Sequence, residues 1–111
     1  MNIRIQTMGI ELTAAIAAQV EKKMQALEKY LHTDTANVDV EVGKTTGHHN
    51  KGQIFFCEAH VRAPGVAVVR TREEGEDLYA AIDEVHDELQ RQLVDLKERR
   101  LAKRRGGFYA G

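Results

Sequence analysis

The chain is poor in the residues and segments on which many enzymes, secreted proteins and membrane proteins depend. Its 111 residues include no serine, one proline and one cysteine. A single cysteine, Cys57, allows no internal disulfide, which fits a reducing compartment. No apolar run approaches the ~20 residues of a membrane-spanning helix, and the first residues lack the charged-then-apolar layout of a signal peptide. We therefore expect a cytoplasmic protein of one domain.

Charge is distributed unevenly along the chain. The formal net charge is only −1. Residues 73–98 nevertheless hold ten acidic and two basic side chains, whereas residues 99–111 hold five basic and no acidic ones. Because salt screens charges beyond roughly 8–10 Å, each segment acts mainly through its own local charge. The near-zero net charge therefore does not exclude a basic segment that binds nucleic acid.

Hydrophobic periodicity divides the chain into strands and helices. Apolar residues at every second position predict four strands, over residues 1–7, 38–42, 53–63 and 66–72. Apolar residues at intervals of three or four predict two helices, over residues 11–31 and 76–101. Residues 43–52 are rich in Gly, Thr, His and Asn and predict a loop. Pro64-Gly65 predicts the tight turn of a hairpin.

Each predicted element has one apolar side. The first helix presents a stripe of Leu12, Ile16, Val20, Met24, Leu27 and Leu31. The second presents Leu78, Ile82, Val85, Leu89, Leu93 and Leu96. The simplest arrangement lays both helices on one face of a four-stranded sheet, giving an α+β two-layer β-α-β-β-β-α sandwich, an order shared with double-stranded-RNA-binding domains. We expect this domain to span residues 1–101 and a flexible basic tail to follow over residues 102–111.

Candidate catalytic and metal-binding residues are few and poorly arranged. Cys57 shares a side of its strand with Phe55 and Val61, which predicts a buried core thiol rather than a nucleophile. Metal-ligand types occur close in sequence at His48, His49, Cys57 and His60. Adjacent histidines are not a usual ligand spacing, and Cys57 and His60 should point to opposite sheet faces. The carboxylates of the second helix lie mainly on its outward side. We expect no enzyme, no metal and no cofactor.

Basic side chains on the helices are the better candidates for a functional site. They are Lys22, Lys29, Arg91, Lys97, Arg99, Arg100, Lys103, Arg104 and Arg105. Such a cluster would gain affinity by releasing counterions from RNA phosphates. Alternatively, basic residues at a helix C-terminus complement the helix dipole, which accounts for Lys97 and Arg99 better than for the run 103–105. Few aromatic residues are placed to stack on bases, which favours recognition of RNA shape and phosphates over base reading.

The second helix carries the most specific sequence pattern. Residues 76–83 (Glu-Asp-Leu-Tyr-Ala-Ala-Ile-Asp) and 89–93 (Leu-Gln-Arg-Gln-Leu) resemble the signature of the ribosome hibernation-promoting factor and ribosome-associated inhibitor family. The Ile-x-Ile start, residues 11–16 (Glu-Leu-Thr-Ala-Ala-Ile) and residues 27–30 (Leu-Glu-Lys-Tyr) also resemble that family. The resemblance covers roughly residues 1–100, in order.

The resemblance implies a ribosome-binding function without catalysis. Family members are expected to bind the small ribosomal subunit and its rRNA, in the channel between head and body, over the mRNA and tRNA sites. They thereby block translation sterically in stress and stationary phase. In some bacteria short forms act with a separate ribosome modulation factor. The absence of the C-terminal domain of long members, and of the tail of inhibitor-type members, makes the short hibernation-promoting type the expected match.

The resemblance also implies which side chains contact RNA. Basic positions of the family are matched by Lys22, Lys23, Lys29, Arg91 and Lys97, to which we assign phosphate contacts. The residues that would extend this contact are Arg99, Arg100, Lys103, Arg104 and Arg105. Tyr79 and Asp83 belong to the signature too. We expect packing for Tyr79, whereas the sequence leaves open whether Asp83 orients a neighbouring group or the helix.

Two other functions remain open, and one departure from the family bears on them. Where the family often has Lys-Leu, this chain has Glu88-Leu89, on an unusually acidic helix. We expect the acidic face to point away from RNA; the alternative is weaker or salt-sensitive binding. A general double-stranded-RNA binder is the nearest rival. The other is a protein-interaction module, like a sigma-factor modulator, whose acidic second helix docks on a basic partner.

Overall fold

The order of secondary structure elements agrees with the prediction, with the first helix divided in two. The computed structural model describes residues 1–31, 35–45 and 54–106, except the side chains of Ala67 and residues 103–106. The strands are β1 (Asn2–Met8), β2 (Asn37–Thr45), β3 (Ile54–Ala63) and β4 (Val66–Gly75). The helices are α1 (Ala14–Gln25), α2 (Glu28–Leu31) and α3 (Leu78–Gly106). None of the described helices is both long and apolar enough to cross a membrane.

The four strands form one sheet in the order β1-β2-β3-β4. β1 pairs with β2 in parallel, so α1 and α2 form the crossover that such a connection requires. The other neighbours pair antiparallel. The β3–β4 hairpin turns at Pro64-Gly65, where Gly65 has a φ of 75° that favours glycine. The predicted hairpin is therefore present.

One face of the sheet and the helices share a single apolar core. Alternate residues of the strands enter it, with Val38, Val61 and Val69 buried. Helix residues Val20, Met24, Leu27, Ile82, Val85 and Leu89 meet them with no exposed surface. Both helical segments therefore lie on the same sheet face, and the predicted α+β two-layer sandwich is confirmed.

The first helix differs from its prediction at both ends and in the middle. Leu12, predicted to start the buried stripe, is 43% exposed because Thr13 caps the helix after it. The Thr13 Oγ1 accepts a hydrogen bond from the Ile16 N–H (3.1 Å), so α1 begins at Ala14. Near residue 27 the helix tightens, since the Leu27 N–H donates to the Met24 carbonyl (3.0 Å). This break separates α1 from α2 while Leu27 and Leu31 remain buried.

The second helix, α3, is shifted and longer than predicted. The Asp77 Oδ1 accepts a hydrogen bond from the Tyr79 N–H (2.9 Å), so the helix begins at Leu78 instead of residue 76. It continues to Gly106, five residues past the predicted end at residue 101. Residues 102–106, the first half of the expected tail, therefore have a helical backbone. Residues 107–111 lie outside the described part of the chain. That the tail is flexible stays a prediction.

Strand β2 is also longer than predicted, because it continues through Gly43 to Thr45. In the parallel register Gly43 lies beside Met8. A Cβ atom at position 43 would lie 2.1 Å from the Met8 carbonyl oxygen, a distance no side chain tolerates. Glycine at position 43 therefore permits β1 and β2 to pair up to their ends. The rest of the predicted loop, residues 46–52, lies outside the described residues, as does Gln53, the predicted first residue of the third strand.

We predict that Gly43→Ala destabilises the protein by about 1–3 kcal/mol, the usual range for overpacking, because β1 and β2 must separate. Urea unfolding monitored by circular dichroism measures the change. Gly75→Ala is the matched control, since nothing lies within 4 Å of its added Cβ. Equal stabilities of the two variants would contradict the close approach at Gly43.

Cys57 lies in the core with no exposed surface, as predicted. Burial raises the pKa of its thiol to about 12, and the neighbouring Glu58 carboxylate adds to this. Because the thiolate is the reactive form, we predict that a thiol reagent at pH 8 leaves Cys57 unmodified in the native protein. Mass spectrometry in urea supplies the control, where modification should be complete. Rapid modification of the native protein would show that the core opens at β3.

Candidate nucleic-acid interface

The sheet face opposite the helices is polar, and its charges largely neutralise one another. Arg62 Nη2 lies 2.7 Å from Asp39 Oδ2. Arg72 Nη1 lies 3.3 Å from Glu58 Oε2, and Arg72 Nη2 lies 3.0 Å from a Glu74 oxygen. A shallow depression of about 320 Å³ on this face is lined by Arg4, Gln6, Asp39, Val40, Glu41, Glu58 and His60. Mixed charges of this kind give no extended positive field for RNA.

The aromatic ring on the open sheet face is covered. Phe56 has 1% of its surface exposed, although it points away from the main core. The guanidinium carbon of Arg72 lies 4.2 Å from the centre of the Phe56 ring, a cation–π geometry. Phe56 is therefore not available as a platform for a base. The expectation that few aromatics can stack on bases holds at this position.

Lys22 of α1 and Lys29 of α2 are exposed, as predicted for an outward pair of basic residues. Neither forms an ion pair with any described side chain. The ammonium of Lys29 lies 5.2 Å from the centre of the Tyr30 ring. Both ammonium groups can therefore meet a phosphate without first leaving a described carboxylate, although their contact with RNA stays a prediction.

Tyr30 joins this basic surface to α3. A small depression is lined by Tyr30, Leu31, Val66, Leu93, Leu96, Lys97 and Arg100. Lys29, Lys97 and Arg100 thus lie around one aromatic side chain. We group these three with the exposed Lys22 of α1 and call the four the helical basic patch. Arg100 also donates to the Gly65 carbonyl oxygen (2.7 Å). The sequence pattern predicts no role for Tyr30, although Tyr30 lies between the exposed Lys29 and the buried Leu31.

Lys23 differs from its neighbours because it is held by α3. Its ammonium lies 3.1 Å from Asp83 Oδ1, and its side chain is 28% exposed. The amide of Gln19 donates to the same oxygen over 3.4 Å. The role left open for Asp83 is thereby resolved within the protein: it orients Lys23 and ties α1 to α3. Tyr79, expected to pack, is 42% exposed.

Arg91 lies on another side of α3 and is also held by carboxylates. Arg91 Nη2 lies 2.6 Å from Glu88 Oε1, and Arg91 Nη1 lies 3.6 Å from Asp95 Oδ2. The hydrogen bond from Arg91 lowers the pKa of Glu88, and the same bond raises the pKa of Arg91. Arg91 and Arg99 line a separate depression beside β4, with Val68 and Val69. The structure therefore does not bring Arg91 and Arg99 together with the helical basic patch.

The remaining predicted site residues lie beyond the described side chains. They are Lys103, Arg104 and Arg105, whose backbone is helical. For the metal hypothesis, His48 and His49 lie outside the described residues, and His60 pairs with Glu58 on the face opposite Cys57. The described part of the chain contains no group of three metal-ligand side chains close enough to hold an ion.

Glu58 contributes to stability in a pH-dependent way. A hydrogen bond with His60 lowers the pKa of Glu58 below its ordinary value of 4.5, and Arg72 lowers it further. Since the unfolded chain binds a proton at Glu58 more readily, this stabilisation is present above pH 4.5 and is lost as pH falls through the lower, folded-state pKa.

We predict that Glu58→Gln loses less stability than the native protein when the pH drops below 4.5. Urea unfolding at neutral and acidic pH measures the difference. Glu84→Gln is the control, because exposed Glu84 forms no ion pair with a described residue. An unchanged acid dependence in Glu58→Gln would contradict the assignment.

Comparison with known proteins gives a consistent picture of relatives. The family model described as "Sigma 54 modulation protein / S30EA ribosomal protein" matches residues 3–101. A ribosome hibernation promotion factor of Picosynechococcus sp. is 34% identical over 94% of this chain and 53% of its own length. A ribosome hibernation promoting factor of Azotobacter vinelandii is 34% identical over 96% of this chain and 92% of its own length.

The fold is shared with solved structures. The N-terminal domain of Thermus thermophilus Protein Y superposes with a TM-score of 0.71 and 35% identity, covering 84% of this chain and 96% of that domain. The chain spans about half the length of the first curated relatives it matches, those of Picosynechococcus sp. and Deinococcus radiodurans. With a family match that covers nearly the whole described chain, this protein belongs to the Sigma 54 modulation protein / S30EA ribosomal protein family.

Proposed function

We propose that this chain is a ribosome hibernation factor that binds the small ribosomal subunit through its helical layer. The observation that carries the proposal is the helical basic patch, Lys22, Lys29, Lys97 and Arg100, on a chain whose relatives are named ribosome hibernation factors. None of these four side chains is paired with a described carboxylate. Each can therefore release counterions when it meets an rRNA phosphate.

The pairing of charges on the open sheet face and on the helical side supports the choice of the helical side as the surface that binds rRNA. On the open sheet face, Arg62 and Arg72 are paired with three carboxylates, whereas no cation of the helical basic patch is paired with a described carboxylate. The carboxylates that pair with Arg91 lie on another side of α3. Glu84 and Asp87 are exposed on α3, neither is paired with a cation of the helical basic patch, and we propose that they lie outside the rRNA contact. This is the arrangement that the sequence favoured for the acidic helix.

The mechanism we propose is steric. The folded domain would occupy the channel between head and body, where mRNA and tRNA bind, and would exclude both while cells do not grow. Residues 103–105 would extend the rRNA contact along α3. Arg99, which lies beside β4 rather than in the helical basic patch, would add to the contact from that side. The proposed mechanism includes no catalytic step. A separate ribosome modulation factor is a further proposed partner, and the cytoplasm is the proposed site of action.

The proposal is tested by co-sedimentation with purified small subunits in a salt series from about 50 to 200 mM. The native chain should bind, more weakly at higher salt. In Lys22→Glu/Lys29→Glu, binding should fall and the slope of log K against log salt should decrease by about 2, one unit for each lost phosphate contact.

The matched control is Arg4→Glu/Arg70→Glu, which makes the same charge change on the open sheet face. We expect it to bind nearly as well as the native chain. Equal loss in both double variants would show a general charge effect and contradict the assigned surface. Absence of native binding at low salt would overturn the proposal and favour a protein partner for the acidic face of α3.

A further inference from the structure

Of the lysines at positions 22, 23 and 29 on α1 and α2, one has a carboxylate partner among the described residues. Lys23 lies 3.1 Å from Asp83 Oδ1, on the facing helix α3. Lys22 and Lys29 have no carboxylate partner among the described residues. The three lysines are thus of two kinds: two that pair with no carboxylate in the described part of the chain, and one whose counter-charge is built into the fold.

The contact between Lys23 and Asp83 has the geometry of an ammonium–phosphate contact. An anionic oxygen, Asp83 Oδ1, lies within hydrogen-bond distance of Nζ and also accepts a hydrogen bond from the Gln19 amide, 3.4 Å away. The side chains of Lys23 and Asp83 are 28% and 49% exposed. The pair is therefore open at the surface, and an RNA phosphate could reach the ammonium only beside or in place of the carboxylate.

We infer that Asp83 is an intramolecular substitute for an RNA phosphate, and that it weakens RNA binding by occupying Lys23. The inference rests on the proposed function for its ligand. A lysine already neutralised by a carboxylate carries fewer condensed counterions, so it releases fewer when a phosphate arrives. A phosphate next to Asp83 is also repelled by it. Lys23 consequently adds little to affinity or to salt dependence while Asp83 is present.

The experiment compares single-charge variants of adjacent residues on α3. Asp83→Asn removes the anionic partner of Lys23. Glu84→Gln removes the same charge one residue away, from an exposed carboxylate that has no ion pair with a described residue. Binding of fluorescent duplex RNA of about 16 base pairs, enough to span such a domain, is measured by anisotropy across the salt series, as is binding to the small subunit.

We expect Asp83→Asn to bind RNA about threefold more tightly than Glu84→Gln does, the scale of one partly exposed ion pair. Its salt slope should be steeper by about 1, because Lys23 now releases its own counterion. Adding Lys23→Gln to Asp83→Asn should abolish both changes. Asp83→Ala should behave as Asp83→Asn, and circular dichroism verifies that each variant is folded.

Two outcomes would overturn the inference. Identical affinities and slopes for Asp83→Asn and Glu84→Gln would mean that only net charge matters. Weaker binding by Asp83→Asn would mean that Asp83 positions Lys23 for RNA. Failure of the proposed function is separate: a native chain that binds duplex RNA as well as small subunits would refute the ribosomal role, while the comparison of variants on duplex RNA would still decide the role of Asp83.

Discussion

The single apolar core between one sheet face and the helices determines where every other group can lie. Each strand and helix has one apolar side, and burying these sides together leaves two separate polar surfaces. One is the open sheet face and the other is the outer side of the helical layer. Because the core is shared by all elements, neither surface can be rearranged without exposing buried Val, Leu and Ile side chains. The difference between the two surfaces is thus a property of the fold.

Pairing, more than the number of cations, distinguishes the surfaces. The sheet face has several arginines, yet Arg62 and Arg72 are bound to carboxylates. On the helices, Lys23 and Arg91 are paired with carboxylates of α3, whereas Lys22, Lys29 and Lys97 are not paired with any described carboxylate. An acidic helix and a surface of unpaired basic side chains are therefore compatible in one small domain, since the carboxylates act over short distances.

The sequence predicted what depends on periodicity and missed what depends on contacts between distant segments. Alternation placed Cys57 and Val61 in the core, and the helical stripe placed Val85 and Leu89 there. The exposure of Leu12 and the break before Glu28 follow from a cap and a tightened turn, which periodicity does not report. Among the site residues, the outward positions of Lys22 and Lys29 were predictable. The pairing of Lys23 with Asp83 was not, because sixty residues separate them and only the packing of α1 on α3 joins them.

The continuation of α3 to Gly106 has a consequence for the entropy of binding. A flexible segment that becomes ordered on a ligand loses roughly 1–2 kcal/mol of backbone freedom for each residue fixed. The backbone of residues 102–106 is already helical. A ligand that contacts this part of α3 would therefore order less free backbone than a flexible tail of the same length requires, so less of the contact energy would be lost to backbone entropy.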